Sequence, residues 1–167
     1  MAEPVLDIKN LRVEFPTRTG LLTAVDDISL SIAPGEILGV VGESGAGKSM
    51  TGMAVLGLLE PPGRIASGEI RIGGERIDQL DDAGMQRIRG RRIGAIFQDP
   101  LTSLHPLFSI GEQLIETIRF HLDVGKDAAR ARALDLLREV GIPGAETRID
   151  HFPHQFSGGM RQRVVIA

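Results

Sequence analysis

The sequence of 167 residues contains no cysteine, no tryptophan and no tyrosine. Without cysteine there are no disulfides, thiolate nucleophiles or cysteine-ligated zinc sites. Phenylalanine is the only benzenoid aromatic residue, so single-stranded nucleic acid would find few stacking surfaces. No apolar run approaches the roughly 18 residues of a transmembrane helix, and the N-terminus lacks the basic-then-apolar pattern of a signal peptide. We therefore expect a soluble cytosolic protein that reaches a membrane only through partners.

The chain also lacks an excess of positive charge, since 19 Lys and Arg face 22 Asp and Glu, a formal net charge of −3. Non-specific nucleic-acid binding normally requires a basic surface, so this balance argues against it. Hydrophobic residues make up 42% and charged residues 25% of the sequence, which is the usual mixture of a globular protein of about one domain.

Apolar periodicity predicts a mixed fold. Alternating or continuous apolar runs predict strands over 5–15, 23–32, 37–41, 68–73 and 93–97. The runs 37–41 and 93–97 are continuously apolar, which is typical of strands buried on both faces of a sheet. Helical spacing predicts helices over 47–59, after Asp81, from Ser109 to 121, over 126–140 and from Ser157 onward. The prediction is an α/β fold with an antiparallel, β-rich N-terminal part.

The strongest motif lies between a predicted buried strand and a predicted helix and fits G-x-x-x-x-G-K-[ST], the phosphate-binding loop. Its glycines let successive backbone N–H groups point at an anion, and the helix that follows adds its positive dipole end. Lys48 would contact the β- and γ-phosphates, and the Ser49 hydroxyl would contact Mg²⁺. The residues assigned to phosphate binding are Gly42, Glu43, Ser44, Gly45, Ala46, Gly47, Lys48, Ser49 and, through its backbone amide, Met50.

Other interpretations of this loop explain less. A purely structural glycine turn gives Lys48 no role, and in a dinucleotide-binding loop the Lys48 side chain would crowd the pyrophosphate. The loop alone predicts only nucleotide binding, because kinases, GTPases, helicases and transport ATPases all share it.

A second glycine pair lies near the end of the sequence, in Phe156-Ser157-Gly158-Gly159-Met160. Ser157 can cap the following helix, and the two glycines leave backbone amides bare, which makes a second possible anion site. Alone, this segment is an ordinary helix cap. Together with the phosphate loop, it resembles the signature motif of ABC-type ATPases, with Met160 where that family usually has Gln.

The resemblance covers nearly the whole chain and narrows to the importer ATPases for oligopeptides, dipeptides and nickel. The segments that suit that group are 16–24, 41–45, 97–106 and 152–156. It implies a P-loop ATPase with an antiparallel β part and a helical subdomain, its core incomplete. The implied division is a β-rich and P-loop core over 1–97, a Q-loop and helical subdomain over 98–160, and the start of the signature helix over 161–167.

The resemblance also assigns roles to single residues. Gln98 would contact Mg²⁺ and the attacking water, and Phe15 would stack on adenine. Ser157, Gly158 and Gly159 would close on the nucleotide held by a second subunit. The implied catalytic residues are Lys48, Gln98, Ser157 and Gly159, the implied metal contacts are Ser49 and Gln98, and the implied cofactors are ATP and Mg²⁺.

The function implied is ATP-driven import of peptides, nickel or similar small solutes. The implied partners are transmembrane permease subunits and a second ATP-binding subunit, with a solute-binding protein reached indirectly and no nucleic acid. Such a subunit works at the cytoplasmic side of the membrane. Two alternatives stay open at this point: an ABC-type ATPase of DNA repair or translation, and a non-catalytic nucleotide-binding module.

The sequence departs from the family pattern after the signature. The hydrophobic strand that ends in Asp-Glu, and the histidine that follows it in the family, are not among the 167 residues. His105 also stands where these relatives often have Asn. We therefore expect an N-terminal part of a longer subunit, one that binds nucleotide but hydrolyses it weakly or not at all, because the base for the attacking water is missing.

Overall fold

The computed structural model describes residues 3–97 and 103–167. The chain divides into two compact units, of which the first ends at Ile93 and the second begins at Gly94.

The first unit is built on an antiparallel sheet with the strand order β2-β1-β3-β4. Its strands are β1 (Leu6–Thr17), β2 (Gly20–Ile32), β3 (Arg64–Ile72) and β4 (Glu75–Arg76). The three predicted N-terminal and central strands are confirmed, and each extends further than predicted. Pro16 lies inside β1 opposite Leu21 rather than ending the strand. It is tolerated there because β3 pairs with β1 only as far as Glu14, so no paired strand on that side needs the N–H that proline lacks.

Two helices cover this sheet and complete its core. They are α1 (Lys48–Leu56) and α2 (Asp82–Ile88). Ala54 and Val55 of α1 and Met85 and Ile88 of α2 are buried in one cluster with the apolar side chains of the sheet. Helix α1 is shorter than predicted, because Gly57 adopts a left-handed φ of 62° and ends it.

The predicted strands 37–41 and 93–97 are not formed, and both predictions are wrong for this structure. Ile37 and Val41 are 96% and 93% exposed, and Ile96 and Phe97 are also exposed. Among the described residues, the only pairing in either range is an isolated bridge between Arg89 and Ile93. A continuous apolar run forms a central strand only when neighbouring strands satisfy its backbone and cover both its faces, and here neither condition is met.

The second unit is helical. Its helices are α3 (Ile110–His121), α4 (Lys126–Glu139), α5 (Ala145–Arg148) and α6 (Gly158–Ile166), with a 3₁₀ turn at Pro153–Gln155. The helices predicted from Ser109, over 126–140 and from Ser157 are confirmed. The apolar stripe Ala129, Ala133 and Leu137 of α4 packs in one cluster with Ile110 and Ile149. No helix in the described ranges is long and apolar enough to cross a membrane.

Candidate functional site

The phosphate loop is pinned to the sheet of the first unit at Gly47. A Cβ atom on Gly47 would lie 2.6 Å from the carbonyl oxygen of Ala24 on β2, and Gly47 has a left-handed φ of 81°. Both facts exclude side chains at this position, since L-residues are strained there and the backbone oxygen cannot move aside. The glycine that precedes Lys48 in the motif is therefore the point at which the loop lies closest to the sheet.

The loop wraps around the ammonium group of Lys48. Lys48 Nζ donates to the carbonyl oxygens of Gly42 and Glu43, both at 2.7 Å. The Ala46 N–H closes the turn by donating to the Glu43 carbonyl at 3.2 Å. The chain itself thus holds the positive charge on the inner side of the loop, where the sequence predicts phosphate.

Helix α1 begins at the loop without a side-chain cap. Its N-cap is Gly47, which offers no side-chain acceptor, so the first-turn amides have no partner within the helix and carry its positive dipole end. Ser49 is exposed in this first turn. Met50 packs against the core, so its backbone amide is the group left to face a ligand.

Phe15 lies in the same unit as the loop, near the far end of β1. The side chain is half-buried against the core, and Phe15 pairs with Leu22 of β2. Val25, the β2 residue beside Gly47, pairs with Val13 of β1. Phe15 therefore lies about 7 Å along β1 from the strand position that backs the loop.

The serine-glycine segment caps α6 in the second unit. Ser157 Oγ accepts from the backbone N–H of Met160 at 3.3 Å. Gly158 and Gly159 are exposed, and nothing lies within 4 Å of a Cβ placed on either one. Arg161 Nε donates to the Phe156 carbonyl at 3.2 Å and braces the turn from behind.

The predicted site residues thus fall into separate groups. The loop and Phe15 belong to the first unit, and Ser157, Gly158 and Gly159 belong to the second. Gln98 lies outside the described residues. Sequence reasoning missed Ala24, which backs Gly47, and Gly63, which lies against the Phe15 ring, because both act through strand register and carry no local motif.

The described residues contain no cluster of three His, Asp or Glu side chains that could hold a metal ion by themselves. Mg²⁺ at nucleotide sites is bound largely through phosphate oxygens and water and takes few protein ligands. The exposed Ser49 hydroxyl suits such a single contact.

Comparison with known proteins supports the sequence-based resemblance. A family model described as "ABC transporter" matches residues 25–167. The chain is 46% identical to the oligopeptide transport ATP-binding protein OppD of Bacillus subtilis, over 98% of this chain and 46% of that protein. It is 42% identical to the dipeptide transport ATP-binding protein DppD of Escherichia coli, over 98% of this chain and 50% of that protein.

The fold is also found in solved structures. The ATP-binding cassette MJ0796, solved as a dimer in a post-hydrolysis state with ADP and Pi, matches with a TM-score of 0.83 at 29% identity. That match covers 96% of this chain and 67% of the cassette. The chain spans about half the length of the curated relatives it matches.

Proposed function

Because the chain belongs to the ABC transporter family, we propose that it is the nucleotide-binding part of an ATPase that drives the import of peptides or similar small solutes. The proposal of peptides rests on the OppD and DppD relatives, whose names specify oligopeptide and dipeptide transport. The net charge of −3 and these names favour it over an ATPase of DNA repair or translation.

The observation that carries the proposal is the loop around Lys48. Its ammonium lies 2.7 Å from two loop carbonyls, at the uncapped N-terminus of α1. A polyphosphate entering here meets a full positive charge, bare amides and the helix dipole together. In the transition state these same groups would stabilise charge that develops on the β- and γ-phosphates.

The remaining site residues are proposed for the steps that follow binding. Mg²⁺, when bound with the nucleotide, would neutralise phosphate charge, and the Ser49 hydroxyl would be its protein contact. Gln98 would orient the attacking water. The segment Ser157–Gly159 would bind the nucleotide of a second ATP-binding subunit. This role would explain why positions 158 and 159 are glycine although nothing lies within 4 Å of a Cβ placed on either one.

Equilibrium titration with ATP and Mg²⁺ tests the proposal. We expect binding by the unchanged chain and about 30-fold weaker binding by Lys48→Ala, because a charged hydrogen-bond partner worth roughly 2 kcal/mol is lost. Lys126→Ala is the matched control, since Lys126 begins α4 in the other unit. Equal ATP affinity in the two variants would contradict the assignment of the loop.

We further propose that the subunit pairs with a second ATP-binding subunit and docks on permease subunits at the cytoplasmic face of a membrane, and through them serves a solute-binding protein. Affinity purification of the tagged chain from its own cells tests this. Recovery of an integral membrane permease supports it, whereas recovery of nucleic acid would favour the repair or translation ATPases.

A further inference from the structure

Gly63 lies directly against the ring of Phe15. A Cβ on Gly63 would lie 2.4 Å from Cε1 and 2.7 Å from Cζ of Phe15. Such distances are far inside van der Waals contact, so the ring occupies the volume that any side chain at position 63 would need. The ring lies over a bare stretch of backbone.

Strand register explains why these two residues meet. Glu14 of β1 pairs with Arg64, the first residue of β3. Phe15 and Gly63 are the next positions along the two antiparallel chains, so they face each other where β3 begins. An aromatic ring laid across a facing glycine covers backbone that would otherwise be open, a known stabilising arrangement in sheets.

The turn before β3 is itself fixed. The Gly63 N–H donates to the Glu60 carbonyl at 2.8 Å, and that oxygen would lie 2.9 Å from a Cβ on Gly63. Gly63 therefore sits in a closed turn, and the Glu60 carbonyl borders the space that a side chain at position 63 would need. On the opposite side, Phe15 pairs with Leu22, whose side chain is exposed.

We propose that Gly63 is a positioning residue for the nucleobase: by lacking a side chain, it lets the Phe15 ring lie at the depth at which a base can stack on it. The inference rests on the proposed function, in which Phe15 stacks on adenine. A methyl group at position 63 pushes the ring outward, into the space that the base would occupy. The phosphate loop is untouched by this change, because it is backed by Ala24 and not by Gly63.

The test compares two probes in the presence of Mg²⁺, ATP and inorganic tripolyphosphate, on the 167-residue chain. Only ATP carries a base and its ribose, so the ratio of the two affinities reports the contacts of the nucleoside. The ratio does not depend on the fraction of molecules that is folded. In Gly63→Ala we expect ATP binding to weaken about tenfold, or about 1.4 kcal/mol, with tripolyphosphate binding changed less than about twofold.

Gly125→Ala is the matched control, because nothing lies within 4 Å of a Cβ there and its φ is an ordinary −68°. Phe15→Leu should reduce the affinity ratio as Gly63→Ala does. The double variant should show no further reduction, although the strain against Glu60 persists in it, because the ring through which Gly63 acts is gone.

The outcomes separate the two proposals. An unchanged affinity ratio in Gly63→Ala, or an additive loss in the double variant, overturns the role of Gly63. If Gly63→Ala binds neither probe, the affinity ratio is measured in the double variant and compared with that of Phe15→Leu. Equal ratios support the role of Gly63, and a lower ratio in the double variant overturns it. Failure of the unchanged chain to bind tripolyphosphate overturns the proposed function itself.

Discussion

Glycines in this chain answer to different constraints, which the surrounding atoms distinguish. Gly47 has a left-handed φ and touches the backbone of Ala24, so the fold itself requires it. Gly63 has an ordinary φ but lies under an aromatic ring. Gly158 and Gly159 have neither a positive φ nor a neighbour within 4 Å. Since glycine is a poor helix residue, their presence at the start of α6 favours a requirement from outside the chain.

This distinction predicts that substituting alanine for glycine costs much more stability at Gly47 than at Gly158. Gly47→Ala should lower the free energy of unfolding of the first unit by about 2 kcal/mol, from left-handed strain and the clash with Ala24. Gly158→Ala should leave the stability of the second unit within about 0.5 kcal/mol of the unchanged chain. Urea unfolding of each variant measures both values. A large destabilisation by Gly158→Ala would show that its glycine serves the fold.

At this scale the sequence predicted features that depend on neighbouring residues alone, whereas the phosphate-binding role of the loop stays a prediction. The loop from Gly42 to Ser49 and the Ser157 cap follow from neighbouring residues, and the structure has both as local elements. The contact between Gly63 and Phe15 was not predicted, because it joins positions that only the β1–β3 register brings together.

Among the elements, α2 supports the helix that carries the phosphate loop. Arg89, which follows α2, donates from Nε to the Leu56 carbonyl and from Nη2 to the Gly57 carbonyl, both at 2.8 Å. These carbonyls lie at the C-terminal end of α1, where a cation also complements the helix dipole. One guanidinium therefore fixes the far end of the helix whose near end forms the candidate site.

Arg89→Ala should therefore lower the free energy of unfolding of the first unit by about 2 kcal/mol, because two charge-assisted hydrogen bonds to α1 are lost. Arg87→Ala, on the exposed face of α2, is the matched comparison and should cost less than about 0.5 kcal/mol. Hydrogen exchange at the last turn of α1 should accelerate only in Arg89→Ala. Equal exchange in the two variants would contradict the capping role.

Helix α3 begins with a cap that depends on pH. The backbone N–H of Ser109 donates to Glu112 Oε2 at 2.7 Å, and the Ser109 hydroxyl donates to the same oxygen at 2.8 Å. Both hydrogen bonds, the backbone one more strongly, stabilise the carboxylate and lower the pKa of Glu112. Because the folded-state pKa lies below the ordinary glutamate value of about 4.3, the carboxylate contributes its full stabilisation above that pH. This contribution is lost as the pH falls through the lowered pKa.

We expect Glu112→Gln to reduce the difference in melting temperature of the second unit between pH 6 and pH 3, since glutamine keeps the shape of the cap and cannot titrate. Calorimetry at the two pH values measures this. Glu116→Gln, on the same helix but outside the cap, is the comparison. The same reduction in both variants would show that the cap is not the source of the pH dependence.

The helices and strands were predictable to different degrees, and the physical reason is the range of their interactions. Helices α3, α4 and α6 follow from caps and apolar stripes within each segment. The strand predictions at 37–41 and 93–97 failed because a continuous apolar run is typical of a strand with a neighbour on each side. The run itself does not show whether those neighbouring strands are present.

For the whole molecule, the exposed segment 37–41 matters most. Ile37 is 96% exposed and Val41 93%, and Leu38 and Val40 between them are also exposed. Apolar runs with unpaired backbone groups associate with other chains. The exposure of segment 37–41 in the 167-residue chain does not depend on the family to which the chain belongs.

We therefore expect concentration-dependent self-association that the double substitution Ile37→Lys and Val41→Lys weakens about tenfold, by removing two apolar side chains from the contact. The melting temperature should not fall, because these side chains are almost fully exposed. Sedimentation velocity over a range of concentrations measures the association. Leu107→Lys, at a 77% exposed position in the second unit, shows whether any exposed apolar side chain has the same effect.

The two carbonyl oxygens that accept hydrogen bonds from Lys48 compete with any ligand for its ammonium group. An incoming molecule can bind the Lys48 ammonium only by replacing its hydrogen bonds to both carbonyl oxygens. We therefore expect the oxygens of a ligand to need full negative charge. Sugars and free nucleosides offer only neutral acceptors and would leave the lysine where it is. We therefore expect the loop to discriminate among ligands by their charge density.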